Sequence, residues 1–125
     1  MVKINPKLIT PKRWHIYIVD LEPSIGTKPG KQRPCLAIQP DEFNESGLQS
    51  TVVLPLTTNI IYGNAFPLRV RIPKGVVGLA HASDILIDQI LAWDNSLFRQ
   101  ELGILPEGLI EMVQEALVDF LDLPI

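Results

Sequence analysis

Trp14-His15-Ile16-Tyr17-Ile18-Val19-Asp20 decides the reading of the fold. Seven residues dense in aromatic and β-branched side chains favour an extended strand, because such side chains pack well on a pleated surface and lose rotamer freedom in a helix. Alternation along that strand places Trp14, Ile16 and Ile18 on one face, which makes it the expected first core strand. Leu21 to Gln32 follows, with Pro23, Gly26, Pro29 and Gly30 set among polar and charged residues. That composition resists both helix and strand and predicts a long loop.

Further along, Pro34 to Gln39 and Thr51 to Leu56 read as short apolar strands, with a single helical turn over Asp41 to Ser46 capped by Asp41. Phe66 to Ile72 gives the cleanest alternation. Phe66, Leu68, Val70 and Ile72 point one way and Arg69 and Arg71 the other, so this strand is expected to carry one wet, basic face. Ile85 to Ala92 reads as another strand, with Asp88 and Gln89 inside an apolar run. The chain then changes period. Pro106 suits a helix start, and Leu109, Met112, Val113, Ala116, Leu117, Phe120 and Leu121 recur at helical spacing opposite Glu107, Glu111, Glu115 and Asp119. Short strands with one terminal amphipathic helix, stopping near Pro124, predict a small, partly open barrel of mainly β or α+β type, the helix capping one opening.

The 125 residues, 46% of them hydrophobic, suit a single domain over 1–125 with its own core. The apolar runs Thr51–Leu56 and Val76–Ala80 fall far short of the roughly 20 residues of a membrane-spanning helix. Met1-Val2-Lys3-Ile4-Asn5-Pro6 has no apolar signal core, so a cytoplasmic protein is expected. Cys35 is the single cysteine, which excludes an intramolecular disulfide and argues against a zinc site; no metal or cofactor is expected.

A net charge of −3 looks unsuited to nucleic acid, but it averages two opposite regions. Residues 1–75 carry ten Lys and Arg against five Asp and Glu, a net +5, while residues 76–125 carry one against nine, a net −8. A basic functional face on the first part and an acidic, solvated face on the last would follow; ordinary surface charge is the alternative.

Four segments together resemble the MazF/PemK family of toxin endoribonucleases. They are Ile16-Tyr17-Ile18-Val19-Asp20-Leu21-Glu22-Pro23-Ser24-Ile25-Gly26, then Arg33-Pro34-Cys35-Leu36-Ala37-Ile38 running into Pro40-Asp41-Glu42-Phe43-Asn44, then Val52-Val53-Leu54-Pro55-Leu56-Thr57-Thr58-Asn59, and Ile87-Asp88-Gln89-Ile90. The resemblance runs from Arg13 to the terminal helix. It implies a small SH3-like barrel of the CcdB and MazF type with a C-terminal helix, acting as a homodimer that cuts single-stranded RNA without a metal. In that reaction the ribose 2′-OH attacks the adjacent phosphorus and leaves a 2′,3′-cyclic phosphate and a 5′-OH. An acidic, partly disordered antitoxin would neutralise the toxin, and the pair would bind DNA. The chain departs from the family at Trp14-His15, where a Gly and an acidic residue are common, at Leu91 in place of an Arg, and at Lys28-Pro29 in place of Glu-Gln.

Carried over by position, Arg33 is the expected catalytic cation, its planar guanidinium suited to an anionic phosphorane-like transition state and its direction restricted by Pro34. Thr57 is the expected hydroxyl donor to the phosphate or to a proton-relaying water, with Thr58 and Asn59 as RNA-binding neighbours. Lys28 and Lys31 in the loop, and Arg69 and Arg71 on their strand, are candidate phosphate contacts. Asp88 and Gln89 are candidates for base or ribose contacts, though Asp88 could equally pair with a basic side chain across the dimer. His15 could act as an acid or base, or be structural. Two other functions share this barrel: a non-catalytic or degenerate binding module, and a topoisomerase poison of the CcdB type, which would need neither Arg33 nor Thr57.

Overall fold

A computed structural model describes residues 8–21 and 32–124. Within them the chain forms β1 (His15–Asp20), β2 (Gln32–Ala37), α1 (Asp41–Glu45), β3 (Ser50–Thr57), β4 (Arg69–Ile72), β5 (Ser83–Leu86), β6 (Leu91–Asp94), β7 (Phe98–Ile104) and α2 (Glu107–Leu121). All pairings are antiparallel, in the order β4-β5-β3-β2-β1-β7, with β6 also on β3. The expected loop from Leu21 to Gln32 lies outside the described residues except at its ends, and Gln32 already belongs to β2.

The opening stretch is an interior strand between β2 and β7, and its side chains alternate as expected, with Ile16 and the preceding Trp14 toward one core, but its opposite face is covered as well. Ile16 and Tyr17 are both fully buried, and the register against β7 shifts between Ile16 and Tyr17 and again between Ile18 and Val19. Ordinary pleating sends these neighbours to opposite faces, and both faces are covered. Ile16 enters the main core with Leu36, Leu54, Leu56, Ile85 and Val113, whereas Tyr17 and Val19 enter a second cluster with Cys35, Ala37, Val53 and Phe98. Trp14 stands outside the strand in a left-handed conformation, φ 69°. That geometry costs a bulky residue about 1–2 kcal/mol. It is tied down by the Trp14 N–H donating to the Ala37 carbonyl (2.7 Å) and the Leu105 N–H donating to the Trp14 carbonyl (2.8 Å).

β3 organises the sheet because it divides one edge between two partners. Ser50 to Val53 pair with β6 and Leu56 and Thr57 with β5, while β2 takes the other edge. The single strand expected over Ile85–Ala92 is therefore two strands, with Asp88 and Gln89 exposed in the turn between them. The strand expected from Phe66 begins only at Arg69. Pro67 has no N–H to give a ladder, and the Leu68 and Arg69 N–H groups both donate to the Ala65 carbonyl, leaving Leu68 half exposed. Asp41 does not cap α1: Pro40 occupies the cap position, and the Asp41 carboxylate accepts the Arg13 N–H at 2.8 Å.

Helix α2 lies where the 3.6-residue period places it, burying Ile110, Val113 and Ala116 in the main core. Burial of Ile110 and Val113 contributes about 1.5–3 kcal/mol each and that of the Ala116 methyl about 0.8 kcal/mol. Met112, Phe120 and Leu121, expected on the same apolar face, are more than a third exposed. The result is a curled, incompletely closed sheet with a helix over the main core, so β2, β3 and β5 are held rigidly side by side.

Candidate active site

The ladder between β2 and β3 pairs Cys35 with Pro55 and Leu36 with Leu54. Continued by two residues, the same register sets Arg33 opposite Thr57. On its other edge Thr57 pairs with Asp84, Asp84 pairs with Arg71, and Arg33 pairs back with Val19 of β1. Directly opposed residues share a face of the sheet. One row therefore runs Val19, Arg33, Thr57, Asp84, Arg71 across five strands.

A cleft of about 190 Å³ opens at the middle of this row. Arg33, Gln32, Thr57, Thr58 and Ser83 line it, with Leu56 and Pro34 as its apolar part. Arg33 is half-buried, and among the described residues its guanidinium has neither an ion-pair nor a hydrogen-bond partner. Its five donors are thus available to a ligand. The Thr57 hydroxyl oxygen accepts the Asn59 N–H at 3.1 Å, which leaves the hydroxyl proton free to donate. A cation with several donors beside a free hydroxyl proton is suited to the non-bridging oxygens of a phosphodiester.

The neighbouring part of the row is a buried charge cluster. The Asp84 side chain is only 2% exposed. Burial pushes its carboxyl up, but hydrogen bonds from Arg71, the Ile61 N–H and Arg69 outweigh that and hold it below the usual carboxylate range. Arg69 Nη1 stands 3.2 Å and the Ile61 nitrogen 2.9 Å from Oδ2, while Arg71 Nε donates to Oδ1. Arg69 also donates to the Asn59 carbonyl (2.9 Å), and Arg71 to the Ile61 carbonyl. The expected wet, basic face of β4 is therefore a partly buried cluster in which both arginines are committed to Asp84 and to the segment after β3.

The remaining candidates scatter. Thr58 lines the cleft, and Asn59 is exposed beside it. Asp88 and Gln89 sit in the β5–β6 turn and do not line it. Lys28 and Lys31 lie outside the described residues. His15 is at the opposite end of β1 from Val19, the partner of Arg33, and its Nδ1 is 2.9 Å from Glu101 Oε1, which also accepts the Tyr17 hydroxyl at 3.3 Å. Cys35, two residues from Arg33, is fully buried, and burial pushes its thiol up to about 12, opposed by the Arg33 charge. It is a core residue. Trp14 and Phe66 pack on the main core and Trp93 and Leu91 on the second cluster.

Sequence reasoning missed Gln32, Ser83 and Asp84. The first two carry no signal beyond their polarity. Asp84 had one: two arginines at alternate positions of a short strand call for a counter-charge on the strand beside it.

Residues 12–121 match the family described as PemK-like, MazF-like toxins of type II toxin–antitoxin systems. Endoribonuclease MazF2 of Mycobacterium bovis is 32% identical over 111 residues, covering 89% of this chain and 96% of that protein. Endoribonuclease EndoA of Bacillus subtilis is 31% identical over 106 residues, covering 85% and 90%. Among solved structures, a mycobacterial endoribonuclease in complex with its cognate antitoxin superimposes with a TM-score of 0.72 at 20% identity, over 92% of this chain and 98% of that one.

Proposed function

The chain belongs to the family of PemK-like, MazF-like toxins of type II toxin–antitoxin systems, and from that premise we propose that it is an endoribonuclease whose cutting centre is the cleft between Arg33 and Thr57. The observation that carries this reading is the meeting of those two side chains in one cleft, with the guanidinium unpaired among the described residues and the hydroxyl proton free. The substrate is single-stranded RNA. In the step proposed, the ribose 2′-oxygen bonds to phosphorus and loses its proton, the bond from phosphorus to the 5′-oxygen breaks, and that oxygen gains a proton. Negative charge gathers on the non-bridging oxygens, where Arg33 and the Thr57 hydroxyl donate. Fixed donors of this kind contribute about 10²–10³ in rate each. A metal has no part in the step as written.

The same reading makes the protein a cytoplasmic homodimer neutralised by an acidic antitoxin. A mycobacterial relative of the same fold has been solved with its cognate antitoxin. Residues 1–75 carry a net +5, a charge that favours an acidic partner. No helix among the described residues is long and apolar enough to cross a membrane.

Incubation of the purified protein with mixed-sequence single-stranded RNA in EDTA tests the reading. Fragments with 5′-OH and 2′,3′-cyclic phosphate ends are expected. RNA left intact at high protein concentration would favour a non-catalytic binding module on the same barrel.

A further inference from the structure

We infer that Arg69, held by Asp84, is a positioning residue for Thr57: it fixes the turn after β3 so that the Thr57 hydroxyl faces the scissile phosphate as a donor. The inference rests on the proposed role of Thr57.

The connection is short and continuous. Asp84, buried between β3 and β4, directs Arg69 Nη1 to the Asn59 carbonyl at 2.9 Å. The N–H of the same Asn59 donates to Thr57 Oγ1 at 3.1 Å. Asn59 is thereby gripped on both sides, by a guanidinium at its carbonyl and by the Thr57 oxygen at its amide. A hydroxyl has one proton to give and two lone pairs. With one lone pair engaged by a backbone amide on the far side, the proton points away from that amide. Without the grip on Asn59 that lone pair is released and the hydroxyl is free to rotate.

The surroundings support a purposeful clamp. Arg71 and the Ile61 N–H also bind Asp84, and Arg71 reaches the Ile61 carbonyl as well. The segment from Thr57 to Ile61 is therefore fastened at Asn59 and at both polar groups of Ile61 by three charged side chains. Asn59 and Ile61 are themselves exposed, and Tyr62 beyond them is 87% exposed, so Ile60 is the segment's one partly buried apolar residue. The charged side chains supply most of its polar anchors, beside the Ile60 N–H donating to the Thr58 carbonyl. Arg69 is the one member that touches the residue bonded to Thr57, and a single nitrogen, Nη1, meets both Asp84 and the Asn59 carbonyl.

The test is a double-mutant cycle on an RNA oligonucleotide that the wild type cuts, measuring kcat and KM for Arg69→Met, Thr57→Val and the pair, with thermal melting as the fold control. Misorientation of one reacting group costs about 10–100-fold. Arg69→Met is expected to lower kcat by about that factor with KM within about twofold, and to add no further loss in the Thr57→Val background. Arg69→Lys, whose ammonium can donate to both acceptors from one nitrogen as Nη1 does, is expected to recover most of the lost kcat, and a loss as deep as that of Arg69→Met would overturn the inference; Arg69→Gln serves should Arg69→Met not fold. An equal loss in both backgrounds would mean a merely structural role and overturn the inference alone. A raised KM with wild-type kcat would mean that Arg69 itself holds RNA, which also overturns it. Wild-type kcat in Thr57→Val would overturn the assignment of Thr57 and this inference together.

Discussion

Arg33 of β2 stands opposite Thr57 of β3 on a register fixed by Cys35–Pro55 and Leu36–Leu54, and the two meet in one cleft. The spacing of their backbones is thus governed by a buried ladder rather than by a loop. A guanidinium left without a partner among the described residues has no ion pair there to break on meeting a phosphate.

Replacement of Arg33 by Lys tests the geometry of the fork. Lysine retains the positive charge but offers a compact point charge in place of two parallel donors. Arg33→Lys is expected to retain RNA binding while cleaving about 10–100-fold more slowly. Filter binding beside single-turnover cleavage checks this, and wild-type rates in Arg33→Lys would reduce the role of Arg33 to simple charge.

His15 lies at the far end of β1 from the strand pair that carries Arg33, paired with Glu101. A role as acid or base would require it at the cleft. His15→Gln is therefore expected to leave kcat within about twofold and the pH–rate profile unchanged. A shifted limb in that profile would return His15 to the reaction.

Asp84 should set the acid side of stability. Its folded-state carboxyl titrates below the ordinary value of 3.8, so the ionised form is favoured by folding. The stabilisation is fully present above the unfolded value and disappears as pH falls through the lower, folded one. Asp84→Asn is expected to cost about 2–3 kcal/mol at neutral pH, because it leaves two arginines and the Ile61 N–H short of their charged acceptor. The gap between wild type and variant should close as pH drops below about 4. Urea titrations across that range measure it, and a gap that widens toward acid pH would reverse the assignment.

Cys35 has the pattern of an inert thiol, fully buried and titrating near 12. Native protein is expected to resist an aromatic disulfide reagent at pH 8, with labelling as fast as unfolding permits. Immediate stoichiometric labelling would place the thiol at the surface.

The packing of α2 separates Ile110, which is buried, from Met112, which is 42% exposed. Ile110→Ala is expected to cost about 2–4 kcal/mol and Met112→Ala less than about 1 kcal/mol. Comparable losses in denaturant titrations would mean that the helix buries a different face.

How much of this was legible in the sequence follows from how local each signal is. Val113 and Ala116 declare the helix by spacing alone, and Arg33-Pro34 and Thr57-Thr58 mark the cleft because each pair sits at the end of a recognisable strand. β7 gave no such sign. Its Phe98-Arg99-Gln100-Glu101 run is mostly exposed, and its place in the sheet comes from pairing with β1. The divided edge of β3 was equally hidden, since apolar residues on both sides of Asp88 and Gln89 mask the turn. Asp84 became visible as a hub only through register, when the pairing of β4 with β5 set it opposite Arg71.

The most direct measurement of the central assignment is single-turnover cleavage of a single-stranded RNA in EDTA by wild type and Arg33→Ala, with the affinity of each for the RNA determined alongside. Cleavage by the wild type, slowed at least about 100-fold in Arg33→Ala with an unchanged melting temperature, is the expected result. Wild-type cleavage by a folded Arg33→Ala protein would contradict it.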